Sequence, residues 1–118
     1  MAGKSVTLYH NPRCGQSRQA LALLRERGIE PAIVEYLKTP PDAATLKRLL
    51  AQLGMQPREL LRKGEAAYRE RGLADPKLSD AALLAAMVVE PILLERPIAV
   101  AGSRAVVGRP PERVLEVL

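Results

Sequence analysis

A single cysteine stands in the segment His10-Asn11-Pro12-Arg13-Cys14-Gly15-Gln16-Ser17-Arg18. The thiolate, not the thiol, is the nucleophile of cysteine chemistry, so the surroundings of Cys14 decide whether it reacts. It falls after a β-prone run and at the start of a helical pattern. Free backbone N–H groups and the helix dipole there favour negative charge. Arg13 and Arg18 add positive field, so the thiol is expected to titrate below the free value of about 8.5. The competing state is a small buried hydrophobe, the common fate of a free cysteine. A strand-to-helix loop flanked by two arginines favours the reactive thiol.

Ser17 occupies the second cysteine position of a C-x-x-C pair. Its hydroxyl has two roles open to it, a hydrogen bond to the Cys14 thiolate or a helix cap, and neither resolves a disulfide. His10, the only histidine, either supplies a proton or charge near Cys14 or is a hydrogen-bonded residue at a strand end. One histidine and one cysteine leave too few strong ligands for zinc, so no metal site is expected.

The elements that must hold this loop follow from periodicity. Val6-Thr7-Leu8-Tyr9 reads as a strand ended by Asn11 and Pro12. From Ser17 the spacing is helical, with Ala20, Leu21 and Leu24 on one side and Gly28 as a stop. Ala32 to Leu37 is a second strand, which completes a βαβ unit with a parallel pair. Asp42 is an expected N-cap for a helix bearing Leu46, Leu49, Leu50 and Leu53, closed by Gly54. Pro57–Arg62 and Glu65–Arg71 read as short helical turns. Ser79 or Asp80 caps a helix carrying Leu83, Leu84, Met87 and Val88, which stops before Pro91. The middle stretch shows no strand signal. Ile98–Ala101 and Arg104–Val107 form a hairpin across Gly102-Ser103, a II′ loop. Pro110 or Pro111 opens a last helix with Val114, Leu115 and Leu118 on its apolar side. The order β-α-β, helical insertion, β-β-α predicts an α/β protein with a thioredoxin-like mixed sheet. Residues 1–118 are read as one domain with a helical insertion at about 42–90.

Composition narrows the function. The chain has 118 residues, 47% hydrophobic and 26% charged, ordinary for a globular protein. Aromatics are 3%, without Phe or Trp, so aliphatic side chains must build the core. The net charge is +5, with an isoelectric point near 9.8. The basic residues are scattered, and Tyr9, Tyr36 and Tyr68 are few for a nucleic-acid stacking platform. A small anionic ligand is the better expectation, against a generally basic surface, and neither nucleic acid nor membrane is expected as a partner. Ala2 excludes myristoylation, Gly3-Lys4-Ser5 is a chance likeness to a P-loop tail, and no signal or membrane segment is read. A lone cysteine gains nothing from secretion, which points to the cytoplasm.

The segment Tyr9–Arg18 resembles the active-site segment of the glutaredoxin-coupled arsenate reductases, the ArsC family, especially its short YfgD-type members. Leu60-Leu61-Arg62-Lys63, Glu95-Arg96-Pro97-Ile98 and Gly108-Arg109-Pro110-Pro111 also look like family motifs, in the family's order. The resemblance implies that Cys14 attacks the oxyanion and that Arg62, Arg96 and Arg109 hold it; His10 and Ser17 are supporting candidates from their place beside Cys14. It implies a cis peptide before Pro97, glutathione as co-substrate with no bound cofactor, and glutaredoxin as partner. Guanidinium groups suit a tetrahedral oxyanion such as arsenate through paired charge-assisted hydrogen bonds.

The sequence stops at Leu118, short of the longer arsenate reductases, which leaves open for short members either weak arsenate reduction or action on another thiol or oxyanion. Two other readings stand beside arsenate reduction. One is a glutathione-linked monothiol oxidoreductase. The other is a non-enzymatic regulator similar to Spx that binds RNA polymerase; Ser17 argues against redox sensing of that kind.

Overall fold

The computed structural model describes residues 5–118. The readings on Ala2, Gly3 and Lys4 lie outside the described residues. The chain forms two compact units: one runs to Thr39 and resumes over Arg96–Leu118, the other is Pro40–Glu95.

The first unit holds a four-stranded sheet of β1 (Thr7–His10), β2 (Ala32–Glu35), β3 (Ile98–Ala101) and β4 (Arg104–Val107), in the order β2-β1-β3-β4. β1 and β2 are parallel, with Thr7 opposite Ala32 and His10 opposite Glu35. A parallel pair needs a crossover, and α1 (Gly15–Glu26) supplies it. β3 runs antiparallel to both β1 and β4. This is the thioredoxin-like mixed sheet that the order of elements predicts. Leu8 of β1, Ala99 of β3 and Ala20 and Leu24 of α1 are fully buried together with Val114 and Val117. Burying a side chain the size of leucine contributes roughly 1.5–3 kcal/mol. Aliphatic packing therefore suffices in a unit poor in aromatics, although Tyr36, just past β2, is also buried.

Three details of this unit differ from expectation. α1 begins at Gly15, not Ser17, which makes Cys14 itself the N-cap residue. β2 ends at Glu35, because the chain turns there: the N–H groups of Lys38 and Thr39 both return to the Glu35 carbonyl at 2.9 Å. The last helix, Pro111–Val117, is a 3-10 helix. Its buried residues Pro111, Val114 and Val117 recur every three positions, matching three residues per turn, while Leu115 and Leu118 are only partly buried. The hairpin loop is as expected: Gly102 has φ +61°, no residue type other than glycine takes a positive φ among the described residues, and Ala101 pairs with Arg104.

The second unit is helical, with α2 (Ala43–Leu53), α3 (Pro57–Leu60), α4 (Ala66–Glu70) and α5 (Asp80–Val89), then a 3-10 turn at Pro91–Leu93. Asp42 caps α2 by accepting the Thr45 N–H at 2.8 Å. Of the two candidates for α5, Ser79 is the cap, accepting the Ala82 N–H at 3.1 Å. Leu46, Leu49 and Leu50 are buried along α2, and α5 buries Leu83, Leu84 and Met87. The unit is not purely helical. Leu61 and Leu94 form an isolated antiparallel bridge, flanked by hydrogen bonds from Arg62 N–H to Leu93 O (2.7 Å) and Glu95 N–H to Leu60 O (2.9 Å). A single bridging pair has no periodicity, so no sequence pattern announces it. Among the described residues, no helix is long and apolar enough to cross a membrane.

Candidate active site

The turn at the end of β1 sets the site. Pro12 occupies the second position of a turn closed by a hydrogen bond from the Cys14 N–H to the Asn11 carbonyl, 2.9 Å, a position its fixed φ favours. The Asn11 side chain accepts the Arg13 N–H at 3.0 Å. The turn is then clamped to α1 through Ser17, the third residue of the helix, whose side chain is wholly buried. Its hydroxyl accepts the Asn11 N–H at 3.1 Å and lies 2.7 Å from His10 Nδ1. Burial lowers the pKa of His10; Glu35 raises it, and Arg25 and Arg18 lower it further, with a net shift downward. A neutral ring with its proton on Nε2 leaves Nδ1 free to accept the Ser17 hydroxyl proton.

Ser17 therefore takes neither of the two roles open to it in sequence. Its hydroxyl is engaged by His10 and Asn11, and it is the backbone N–H of Ser17 that acts on the sulfur. Cys14 is half-buried, with extended backbone at φ −93°, ψ 122° and no regular side-chain cap to the first turn. Burial pushes its thiol up. Against this act the backbone N–H of Ser17, a hydrogen bond from the Arg96 side chain, the backbone N–H of Gln16 and the Arg96 charge. The balance holds the thiol below its ordinary value. The guanidinium acting on the sulfur is thus that of Arg96. Arg18, expected in that role, instead donates to the Pro12 carbonyl at 2.9 Å, and Arg13 is exposed.

Arg96 reaches the sulfur from the segment that leads into β3. The Arg96–Pro97 peptide is cis, as the resemblance implied, and so is Arg109–Pro110, which was not anticipated. Arg109 donates through Nη1 to the Arg96 carbonyl at 3.2 Å. The Gly108 N–H donates to the Pro97 carbonyl at 2.8 Å. This close approach depends on glycine: a Cβ on Gly108 would lie 2.6 Å from Val114 Cγ1 and 2.9 Å from Pro97 Cγ. Gly108 and the backbone role of Asn11 were not singled out from the sequence as parts of the site. The available signal was their place inside motifs already quoted for other residues.

Within the first unit, then, Cys14, Arg96 and Arg109 are joined, and His10 and Ser17 brace the loop from beneath. Arg62 belongs to the second unit. There its Nε lies 3.4 Å from Glu65 and 3.8 Å from Glu95, and its Nη1 is buried with no hydrogen-bond partner among the described residues. Among the described residues, no group of three or more His, Cys, Asp or Glu is gathered to hold a metal ion.

The chain is similar to known proteins over almost its whole length. The model of the ArsC family matches residues 9–117. The chain is 57% identical over 116 residues to the uncharacterized protein YfgD of Escherichia coli (strain K12), covering 98% of each chain. It is 47% identical over 114 residues to the arsenate reductase of Rhizobium meliloti (strain 1021), covering 97% of this chain and 81% of that one. Its structure is similar to that of an arsenate reductase from Vibrio cholerae, with a TM-score of 0.97 and 50% identity over 99% of this chain and 100% of that one. A cysteine at a helix N-terminus, an arginine upon it and a family match over almost the whole chain lead to one statement: the protein belongs to the ArsC family.

Proposed function

We propose that the protein reduces arsenate to arsenite with thiol reductants, Cys14 being the nucleophile. The observation that carries this reading is the guanidinium of Arg96 on the Cys14 sulfur, which joins a stabilised thiolate to an anion-binding group. In this reading the thiolate attacks arsenic(V), an S–As bond forms, and one arsenate oxygen leaves as water. Arg96 and Arg109 neutralise the oxyanion.

One cysteine cannot close the cycle. Ser17 stands where a C-x-x-C protein has its second thiol, so an external thiol must attack Cys14. Glutathione does so: the S–As bond breaks, its electron pair stays on arsenic, arsenite leaves, and Cys14 becomes a mixed disulfide. Glutaredoxin then attacks the glutathione sulfur and returns Cys14 to the thiol. The arsenic gains the two electrons that the two thiols lose. A reduced resting Cys14 suits the cytoplasm.

The test is arsenate-dependent NADPH oxidation in the presence of glutathione, glutaredoxin and glutathione reductase. Turnover is expected, and its absence refutes the reading. The buried Ser17 also supports a second reading, a monothiol oxidoreductase that exchanges with glutathione and never touches an oxyanion. In the same assay, oxidation that needs a disulfide substrate and ignores arsenate selects that alternative.

A further inference from the structure

The turn that carries Cys14 also forms one wall of a cavity of about 240 Å³, lined by His10, Asn11, Pro12, Arg13, Glu35, Leu37 and Lys38. That is a little below the range of about 300–1,000 Å³ usual for small-molecule sites, so it would hold part of a short peptide and leave the rest outside. Its charged lining is two cations and one anion: Arg13 and Lys38 are exposed, and Lys38 Nζ lies 3.5 Å from Glu35 Oε1. Pro12 and Leu37, which is 40% exposed, supply apolar contact between them. Of these residues His10, Asn11 and Pro12 shape the Cys14 turn, while the Arg13, Glu35, Leu37 and Lys38 side chains make no hydrogen bond to it.

We propose that this cavity is the subsite for the external thiol, and that it selects a peptide bearing two carboxylates and one ammonium, the charge pattern of glutathione. Arg13 and Lys38 pair with the carboxylates, Glu35 with the ammonium, and the peptide's cysteine lies along the turn toward Cys14. The inference rests on the reading that an external thiol resolves Cys14. Its test does not need arsenate.

The probe is oxidised glutathione. The Cys14 thiolate attacks one of its sulfurs, the S–S bond breaks, one glutathione leaves as thiolate, and Cys14 is oxidised to the mixed disulfide. Mass spectrometry follows this rate beside that with hydroxyethyl disulfide, which is uncharged. The ratio of the two rates cancels changes in Cys14 itself. In the double variant Arg13→Glu/Lys38→Glu the ratio should fall about tenfold, and the native ratio should shrink as salt screens the charges. The control Arg27→Glu/Arg104→Glu changes net charge equally. Arg27 caps the far end of α1, and Arg104 pairs with Ala101 at the sheet end opposite His10, so that ratio should change less than about twofold. An unchanged ratio in the cavity variant, or an equal loss in the control, overturns the proposal. So does a defect confined to reduction of the mixed disulfide by glutaredoxin, which would assign the surface to a protein. If the ratio falls but arsenate supports no NADPH oxidation, the subsite stands and the arsenate reading fails. The reverse result removes the subsite alone.

Discussion

Replacing Arg96 by Gln removes both the hydrogen bond and the charge that Arg96 places on Cys14. What remains is opposed: burial still raises the thiol, while the N–H groups of Ser17 and Gln16 still lower it. A hydrogen bond to a charged group is worth about 1.5–3 kcal/mol. Cys14 is only half-buried, so solvent screening favours the lower figure. A loss of about 1.5 kcal/mol is roughly tenfold in thiolate population wherever the thiol is mostly protonated. The assay is the rate of iodoacetamide alkylation against pH, with circular dichroism to show that the variant is folded. The midpoint should move up, the acidic-side rate should fall about tenfold, and the alkaline plateau should change little. Arg18→Gln, whose side chain is turned to the Pro12 carbonyl, should move the midpoint less. A folded Arg96→Gln protein with the native midpoint would refute the assignment of Arg96 as the cation on the sulfur.

His10 has a lowered pKa when folded, so its neutral form contributes stability that is full above the unfolded value of 6.5 and is lost as pH falls through the folded value. Thermal melts across that range should show this acid-side loss in the native protein and a flatter profile in His10→Gln; identical profiles would show that another group is responsible. Gly108→Ala forces a Cβ against Val114 and Pro97, and should cost about 1–3 kcal/mol, read as a Tm lower by several degrees. Because Gly108 holds the Pro97 carbonyl next to Arg96, the same variant should also slow Cys14 alkylation, and a native rate would mean that the Arg96 loop does not depend on this contact. Turnover with arsenate should vanish in Cys14→Ser and should not be supported by thioredoxin as the sole thiol source. Activity under either condition, measured by NADPH oxidation, contradicts a mechanism that needs an external glutathione.

The order of strands and helices, the cap at Asp42, the II′ hairpin and the position of Cys14 at a helix start were all legible in the sequence, while the choice between Ser79 and Asp80 was not. Each is governed by residues within one or two turns of one another, where spacing and backbone preference act directly. The final 3-10 helix and the Leu61–Leu94 bridge were not, because a few residues in either conformation leave no period distinct from a helix or a loop. Arg62, Arg96 and Arg109 could be nominated only through resemblance, since an isolated arginine in sequence reads as a surface charge. The partners of the site were decided by tertiary structure. Arg96 on the sulfur, Ser17 turned to His10 and Gly108 beneath Pro97 join groups brought together by the pairing of β1 with β3 and by the packing of α1 on the sheet. A side chain's hydrogen-bond partner is set by which buried polar groups must be satisfied where the chain closes on itself. That requirement exists only in the folded protein.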